Sequence, residues 1–349
     1  MKKIAILGFG VVGSGIYEVM SDCKTFPLSE TEIKYILDRR SFPGHPLNGR
    51  VTDDIDRIVN DPEIAVVVET MGGIEPAHRF SLAALKAGKS VVTSNKAVVD
   101  KYGEELERTA AENGVCYLYE ASVGGGIPLI APLRDCFTAE RITRIAGILN
   151  GTTNYILTTM LTEKRSFADA LASAQSLGYA EADPHDDVAG IDPARKIAIL
   201  AGIAFGNYIS YESIPVIEGI ENVTSEDIVL ADHLGCRIKL LAVAEKAGDR
   251  AILCVAPFLV GFDHLFHAVN GVQNAVSVIG SSTGESVFYG PGAGSLPTAS
   301  AVCADIVRAL SGQKAFTPRA KCADNFAVPA EEFEFATVTL PNGKKYRMI

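Results

Sequence analysis

The chain has 349 residues, of which 48% are hydrophobic and 21% charged, and its formal net charge is −10 at pH 7. This length exceeds what one small hydrophobic core needs and predicts two domains. The acidic balance argues against a nucleic acid or an anionic membrane surface as the partner. No apolar run reaches the roughly 18 residues of a membrane helix. The seven scattered cysteines lack CxxC spacing, so we expect free thiols in a cytoplasmic protein.

The first part of the chain alternates short apolar strands with helices. The strands are predicted at 3–7, 33–37, 65–69, 90–93 and 115–119, and helices at 14–20 and 77–87. Because the first strand begins at Lys3, no signal peptide is expected. The alternation predicts an α/β fold with a Rossmann-type, doubly wound parallel sheet.

The pattern changes near residue 134. A strand is predicted at 142–149, helices within 152–177 and at 193–205, and hairpins at 239–259 and 272–289. These elements predict an α+β second domain, and a helix at 297–310 is expected to return to the first. We therefore expect a dinucleotide-binding domain at 1–133, completed by 297–312, and a substrate-binding domain at 134–296. The tail, 313–349, alternates like a strand pair around Asn342-Gly343.

A glycine-rich turn directly follows the first strand and opens a helix. It reads Gly8-Phe9-Gly10-Val11-Val12-Gly13. In that context the first glycine permits the tight turn, the second lets a pyrophosphate approach the backbone, and the third lets helix pack on strand. The free amides of the helix N-terminus favour an anion there. The turn predicts an NAD or NADP site, against the alternative of an incidental glycine-rich loop.

The end of the second strand bears on the choice of cofactor. Asp38 stands where a carboxylate would accept hydrogen bonds from the ribose hydroxyls of NAD. Arg39 and Arg40 follow at once, and a guanidinium there could hold the 2′-phosphate of NADP. Both cofactors remain open, with a slight preference for NADP.

The segment from Glu181 to Lys196 is rich in acids and ends in an apolar helix. Asp192 precedes Pro193, which predicts Asp192 as the N-cap of that helix. Lys196 lies four residues later, on the same face. A partly buried lysine beside a carboxylate has the features of a usable acid or base. The alternative is a capping aspartate with an ordinary i,i+4 salt bridge.

The string GYAEADPHDDVAGIDPARK (178–196) resembles the signature of homoserine dehydrogenases. ILNGTTNYIL (148–157) and GPGAGSLPTASAVCADIV (290–307) resemble other blocks of that family. The resemblance implies reversible oxidation of L-homoserine to L-aspartate 4-semialdehyde with NAD or NADP, on the route to threonine, methionine and isoleucine. It also implies a homodimer that pairs through the sheet of the second domain. The tail is too short for the regulatory domain of longer members, so feedback inhibition through such a domain is not expected.

The resemblance assigns roles to residues one by one. It implies that Lys196 transfers the proton, with Lys96 as a second active-site lysine near the nicotinamide, and that three acids hold the substrate: Glu181, Asp187 and Asp192. It implies cofactor contacts, beyond the glycine turn, at Thr70, Ser94, Lys96 and Gly294. A sodium or potassium ion would be bound by the carboxylate of Glu120 and the carbonyls of Val123, Gly125 and Ile127, an all-oxygen set that suits a hard cation.

Other functions stay open at this stage. A related NAD(P)-dependent oxidoreductase could act on another small polar substrate, and a dinucleotide-binding sensor could keep the fold without turnover. The presence together of Lys96, Glu181, Asp192 and Lys196 argues against the sensor. The residues do not decide which of the two lysines transfers the proton; we favour Lys196.

Overall fold

The computed structural model describes residues 1–323 and 325–349. They form two compact units, of which the first comprises Met1–Ile130 and Ala293–Lys321 and the second comprises Ala131–Gly292 and Cys322–Ile349. No helix in this described part of the chain has the length and apolarity needed to cross a membrane.

The first unit begins with strands and helices in alternation. In chain order these are β1 (Lys2–Leu7), α1 (Val11–Asp22), β2 (Thr31–Leu37), β3 (Val51–Thr52), α2 (Asp56–Val59), β4 (Ile64–Glu69), α3 (Ala77–Lys86), β5 (Ser90–Thr93), α4 (Lys96–Glu112) and β6 (Tyr117–Leu118). The strands are parallel and lie in the order β3-β2-β1-β4-β5-β6. The expected doubly wound parallel sheet is confirmed, although β6 is shorter than the predicted strand at 115–119.

The central strands of this sheet are apolar on both faces. In β1 the residues from Ile4 to Leu7 are buried, and β4 is buried from Val66 to Glu69. Strands covered on both sides by helices need such continuous apolar runs rather than alternation. Because the chain order reverses between β1 and β4, the carboxyl ends of these two strands diverge into a crevice, the usual ligand position of such sheets.

The second unit consists of helices and a mainly antiparallel sheet. Its elements are β7 (Ile142–Ile148), α5 (Gly151–Thr162), α6 (Phe167–Ser176), α7 (His185–Val188), α8 (Ile191–Phe205), β8 (Asn207–Tyr208), β9 (Val216–Ile217), α9 (Ser225–His233), β10 (Cys236–Ala247), β11 (Arg250–Gly261), β12 (Gln273–Gly280) and β13 (Gly284–Pro291). The chain continues with α10 (Ser295–Leu310) and β14 (Ala320–Lys321) in the first unit and ends with β15 (Thr337–Thr339) and β16 (Lys345–Met348) in the second.

The main sheet of this unit has the order β13-β12-β7-β10-β11-β16-β15. The predicted hairpins are confirmed as the pairs β10–β11 and β12–β13, and the predicted tail pair as β15–β16. One local prediction is wrong. Helix α8 begins at Ile191 behind Gly190, whose φ of 84° is left-handed, so Asp192 lies inside the first turn and is not the N-cap. Glycine adopts this left-handed conformation without a steric penalty, so the chain can turn at Gly190 and the helix starts directly after it.

The tail hairpin is joined to α9 through Asp227. This carboxylate is fully buried and accepts hydrogen bonds from the amide of Thr224 (2.9 Å), Lys344 Nζ (2.7 Å) and the hydroxyl of Tyr346 (3.0 Å). Asn342 Nδ2 donates to its other oxygen at 2.9 Å. Burial raises the pKa of Asp227, but Lys344 and the other donors outweigh it and hold this pKa well below its usual value.

We expect Asp227→Asn to lower the free energy of unfolding by about 2 kcal/mol near pH 7, because an amide cannot accept from all these donors and carries no charge for Lys344. A depressed folded-state pKa stabilises the fold above the unfolded pKa and loses that effect as pH falls through the folded value. The difference between wild type and variant should therefore shrink as pH falls below about 4. Urea unfolding at several pH values measures it.

Glu226→Gln, at an exposed neighbour in the same helical turn, is the matched control for a change of charge at the helix N-terminus. It should change stability by only a few tenths of a kcal/mol. A variant at Asp227 that is as stable as wild type at pH 7 would contradict the role assigned to this carboxylate.

Candidate functional site

The glycine turn of the first unit is fixed by close backbone contacts. Gly8 has a φ of 88°, and its amide donates to the carbonyl of Leu37 at 2.9 Å. A Cβ on Gly13 would lie 2.3 Å from the carbonyl oxygen of Gly8, so no side chain fits there. A Cβ on Gly10 would meet nothing within 4 Å, which leaves that stretch of backbone open to a ligand. Helix α1 begins directly after it, at Val11, with its first amides unpaired within the helix.

A groove of about 690 Å³ lies in front of this turn. It is bordered by the ends of β1, β2 and β4, so it occupies the crevice expected from the strand order. Its lining includes Gly8, Gly10, Asp38, Arg39, Arg40, Asp53, Thr70, Met71, Gly72 and Phe80. The groove thus brings together six of the predicted cofactor residues: Gly8, Gly10, Asp38, Arg39, Arg40 and Thr70.

Thr70 connects the groove to the glycine turn. Its hydroxyl donates to the carbonyl of Gly8 at 2.7 Å, and its amide donates to the carbonyl of Leu7 at 2.9 Å. Gly294, another predicted contact, precedes α10 in the same unit, and Ser295 Oγ donates to the carbonyl of Val11 at 2.8 Å. The helix that returns from the far end of the chain is therefore tied to the start of α1.

Asp38 is already engaged in an ion pair. Its two oxygens accept from Arg40 Nε (3.0 Å) and Arg40 Nη2 (2.9 Å), and one also accepts from the amide of Phe9 (3.0 Å). The hydrogen bonds from Arg40 hold the pKa of Asp38 well below its usual value despite partial burial. Arg39 is exposed at the same edge of the groove. The acid favouring NAD is thus neutralised by one of the arginines favouring NADP.

The predicted second lysine begins a capped helix. Lys96 is the first residue of α4, and Asn95, as N-cap, accepts a hydrogen bond from the amide of Val98 at 3.3 Å. Ser94 lies between this cap and β5, and its amide donates to the carbonyl of Glu69 at 3.4 Å. The turn 93–96 thus starts at the carboxyl end of a parallel strand, next to the strand that leads to Thr70.

The predicted cation loop surrounds a buried glutamate. Glu120 is 4% exposed, and its Oε1 accepts from the amides of Leu129 (2.6 Å) and Ile130 (2.9 Å). Gly124 and Gly125 both have positive φ, which turns the backbone between Val123 and Ile127 back on itself. Within residues 1–323 and 325–349 no three His, Cys, Asp or Glu side chains cluster as metal ligands. A cation here would therefore depend on backbone carbonyls together with Glu120.

In the second unit a buried ion pair lies on the first turns of α8. Lys196 Nζ donates to Asp192 Oδ2 at 2.7 Å and to the carbonyl oxygen of Leu149 at 2.8 Å. The side chains are 11% and 5% exposed, so the predicted i,i+4 pair is present and is not an ordinary surface salt bridge. Because both side chains are buried, removing either one would leave an uncompensated charge in the interior and destabilise the protein.

Asn150 was missed from the sequence, although it lies in the block ILNGTTNYIL. Its Nδ2 donates both to Asp187 Oδ1 (2.7 Å) and to Asp192 Oδ2 (2.8 Å), and its Oδ1 accepts the amide of Thr153 (2.8 Å) as the cap of α5. One side chain therefore holds two predicted substrate-binding acids together. A preceding strand followed by Asn-Gly-Thr-Thr is an N-cap signal that could have revealed half of this role.

Glu181 is placed differently from the other acids. It lies on the exposed segment between α6 and α7, where Gln175 Nε2 donates to its backbone carbonyl at 3.1 Å. Its side chain is exposed, whereas Asp187 and Asp192 are linked through Asn150. The second unit therefore brings together Asp187, Asp192 and Lys196, with Glu181 on a neighbouring solvent-facing loop.

Several known proteins with similar sequences and structures are homoserine dehydrogenases. The family model described as homoserine dehydrogenase matches residues 128–307, and that of its NAD-binding domain matches 8–120. The homoserine dehydrogenase of Synechocystis is 47% identical over 314 residues, 87% of this chain and 72% of its own length. The crystal structure of a homoserine dehydrogenase from Thiobacillus denitrificans has a TM-score of 0.85 and 41% identity, covering 94% of this chain and 78% of that one.

A hyperthermophilic archaeal homoserine dehydrogenase, solved in complex with NADPH, has a TM-score of 0.75 and 30% identity and covers 91% of this chain and all of its own. The two family models together span most of the chain, and the Synechocystis relative is 47% identical. The expected family and enzyme class are therefore confirmed. The chain belongs to the homoserine dehydrogenase family and is an NAD(P)-dependent oxidoreductase.

Proposed function

We propose that Lys196 transfers the hydroxyl proton during the reversible oxidation of L-homoserine to L-aspartate 4-semialdehyde. A bound nicotinamide dinucleotide supplies the hydride acceptor. A neutral lysine amine has two hydrogens and one lone pair. Asp192 and the carbonyl of Leu149 accept the two hydrogens, which directs the lone pair to the remaining tetrahedral position. The amine can take a hydroxyl proton there.

The surroundings of Lys196 suit both directions of the reaction. When the amine gains the proton, it becomes an ammonium beside the carboxylate of Asp192, which stabilises the new charge. In the reductive direction the same ammonium donates its third hydrogen to the alkoxide oxygen that forms from the aldehyde. Asn150 fixes Asp192 throughout, because its amide group also caps α5.

The acids around this pair suit an amino-acid substrate. Asp187 is held by Asn150 next to Asp192, and Glu181 extends from the neighbouring loop. Carboxylates are the groups that bind an ammonium through charge-assisted hydrogen bonds. We therefore propose Glu181, Asp187 and Asp192 as the groups that hold the substrate, with Lys96 assisting at its carboxylate.

Lys196→Ala should lower kcat about a thousandfold, the scale of a lost general acid–base group. The dissociation constant of NADPH should stay within twofold of wild type, because Lys196 lies in the second unit and the dinucleotide groove lies in the first. Steady-state kinetics and fluorescence titration with NADPH measure the two quantities. Lys345→Ala, at an exposed lysine of the same unit, is the control. Weakened NADPH binding with substantial remaining turnover would refute the assignment.

For the cofactor we propose NADP(H) rather than NAD(H). Asp38 is neutralised by Arg40 through two hydrogen bonds, so its charge does not repel a 2′-phosphate. Arg39 is exposed at the same edge and available to such a phosphate. The NADPH complex of the archaeal relative is in line with this choice.

Arg39→Ala should raise the dissociation constant of NADPH about tenfold, equivalent to about 1.4 kcal/mol, and should leave that of NADH within twofold. The reason is that only NADPH presents the 2′-phosphate to this guanidinium. Titration of both reduced cofactors measures the ratio. Arg57→Ala serves as control, since Arg57 lies over the ring of Tyr35 at 5.0 Å and does not line the groove. An equal loss for both cofactors would contradict the proposed preference.

We also propose that the loop around Glu120 binds sodium or potassium. In support, one short segment contains the buried carboxylate of Glu120 and several backbone carbonyls. The carbonyls of Val123, Gly125 and Ile127 would be the further ligands. Oxygen ligands of this kind suit a hard monovalent cation.

Glu120→Gln should raise the salt concentration that gives half-maximal activity about tenfold, because the ligand loses its charge while its shape is kept. Assays in a tetramethylammonium buffer with added KCl or NaCl measure this concentration. Glu112→Gln, at an exposed position near the end of α4, should behave as wild type. Wild-type activity that is independent of both ions would exclude the cation.

We further propose a cytoplasmic homodimer paired through the sheet of the second unit, as the resemblance to the family implies. The edge strand β13 supports this, because it exposes Val287 and Tyr289, which are 43% and 62% exposed. Exposed apolar side chains in alternation on an edge strand are a liability unless another surface covers them.

A further inference from the structure

A buried carboxyl group of the first unit has no part in the roles described so far. Glu69 is the last residue of β4, and its side chain is fully buried. It lies between β1 and β5, paired in register with Leu7 on one side and Thr93 on the other. Burying a carboxyl group in such a place is costly unless hydrogen bonds compensate for the water that it loses.

The two oxygens of Glu69 serve two different loops. Oε1 accepts the amide of Met71 at 2.7 Å, and Oε2 accepts the hydroxyl of Thr93 at 2.6 Å. Met71 lies in the loop that follows Thr70 and lines the dinucleotide groove. Thr93 is the first residue of the turn that leads to Lys96.

These contacts continue into a chain of hydrogen bonds. Thr93 Oγ1 accepts the amide of Asn95 at 2.9 Å, and Asn95 is the N-cap of the helix that begins at Lys96. Asn95 Nδ2 in turn donates to the carbonyl of Gly73 at 2.7 Å, which closes a ring back to the groove loop. Glu69 lies at the base of this ring, because β4 ends at Glu69 and β5 ends at its register partner, Thr93.

We propose that Glu69 is a positioning residue that couples the dinucleotide groove to Lys96, a role that rests on the functions proposed above for both. Its carboxylate fixes the loop 70–73 with one oxygen and the turn 93–96 with the other. Neither loop can shift without breaking a hydrogen bond to the same buried group.

The ionised form of Glu69 is the one that fits this arrangement. Every polar neighbour on its carboxyl group is a donor: the amide of Met71, the hydroxyl of Thr93 and the side chain of Asn95. Protonation would turn one oxygen into a donor that faces the Thr93 hydroxyl. The Thr93 hydroxyl would then accept from the carboxyl as well as from the amide of Asn95, and its own hydrogen would lose its acceptor.

The surroundings place this change near neutral pH. Burial raises the pKa of Glu69 to about 7, against the lowering effect of Thr93, Met71 and Asn95. Tyr117 of β6 interacts electrostatically with Glu69, and the pKa of Tyr117 is raised first by its own burial and then by Glu69. Below pH 7 we therefore expect the protonated carboxyl of Glu69 to hold both loops less firmly. Above pH 7 we expect the carboxylate to hold them in place.

The test uses the full chain, NADPH titration and steady-state kinetics between pH 6 and 8. In wild type we expect the dissociation constant of NADPH to rise severalfold, and kcat to fall, as pH is lowered through 7. Glu69→Gln keeps the shape but resembles the protonated form. Its NADPH affinity should be about tenfold weaker than wild type at pH 8 but within about twofold of it at pH 6, because the variant lacks the titration of Glu69. A merely structural role would not remove the pH dependence.

Glu69→Asp keeps the charge but is one methylene too short to reach both loops. It should bind NADPH more weakly at every pH while it retains the pH dependence, and it carries the test if the glutamine variant does not fold. Glu107→Gln is the matched control, because Glu107 is another buried carboxyl of this unit that accepts the hydroxyl of Tyr119 at 2.6 Å. It should keep the wild-type affinity and pH profile even if its Tm falls.

Wild-type NADPH affinity and pH profile in both Glu69 variants would overturn the inference. So would a loss of pH dependence in Glu107→Gln that matches that of Glu69→Gln. Failure of the proposed function would be distinguishable. In that case Lys196→Ala would retain turnover, or Arg39→Ala would bind NADPH and NADH as wild type does, whatever the Glu69 variants show.

Discussion

The side-chain amide of Asn150 is the contact on which the proposed catalytic part of the second unit depends. It uses its full hydrogen-bonding capacity: two N–H groups go to Asp187 and Asp192, and the oxygen caps α5. An amide used in this way cannot flip without losing all three partners. Asn150 is thereby held against two acids that lie 37 and 42 residues further along the chain, and Lys196 is fixed through Asp192.

This arrangement explains how a charged pair is tolerated in an apolar helix. Ten of the residues of α8 are buried, including Asp192 and Lys196 themselves. Removing two charges from water costs several kcal/mol per ion, which their attraction alone does not reliably offset. Here the carbonyl of Leu149 and the amide of Asn150 supply the missing hydrogen bonds. The pair is thus held by partners that a surface i,i+4 salt bridge lacks, and its geometry is set before any substrate arrives.

Much of the fold follows from local patterns, whereas the supports of the site do not. The parallel strands were predictable because both faces of the sheet are covered, which requires continuous apolar runs such as VVV in β4. The lysine–aspartate pair was predictable because four residues make one helical turn. Asp192 was wrongly predicted as the cap because Pro193 suits the first turn generally, and the left-handed Gly190 decided the start of α8.

Asn150 and Glu69 were missed for a different reason. Their partners lie 37 and 42 residues away in the case of Asn150, and 24 residues away in the case of Glu69 and Thr93. No periodicity connects such positions. In addition, Glu69 ends a run of buried valines and gives no sign of a polar task in the sequence. Residues that support a proposed site through hydrogen bonds to its side chains and loops are therefore harder to predict from the sequence than residues that would contact the substrate or the cofactor.

The same limit applies to the cofactor. From the sequence, Asp38 favours NAD and the two arginines after it favour NADP. These opposite predictions arise because each side chain is considered only with the cofactor and not with its neighbours. In the structure Arg40 and Asp38 contact each other, which offsets the repulsion that a lone carboxylate would exert on a phosphate, and Arg39 is exposed at the groove beside this pair. On the proposed preference for NADP(H), Arg39 would bind the 2′-phosphate while Arg40 neutralises Asp38, so the three side chains have to be considered together.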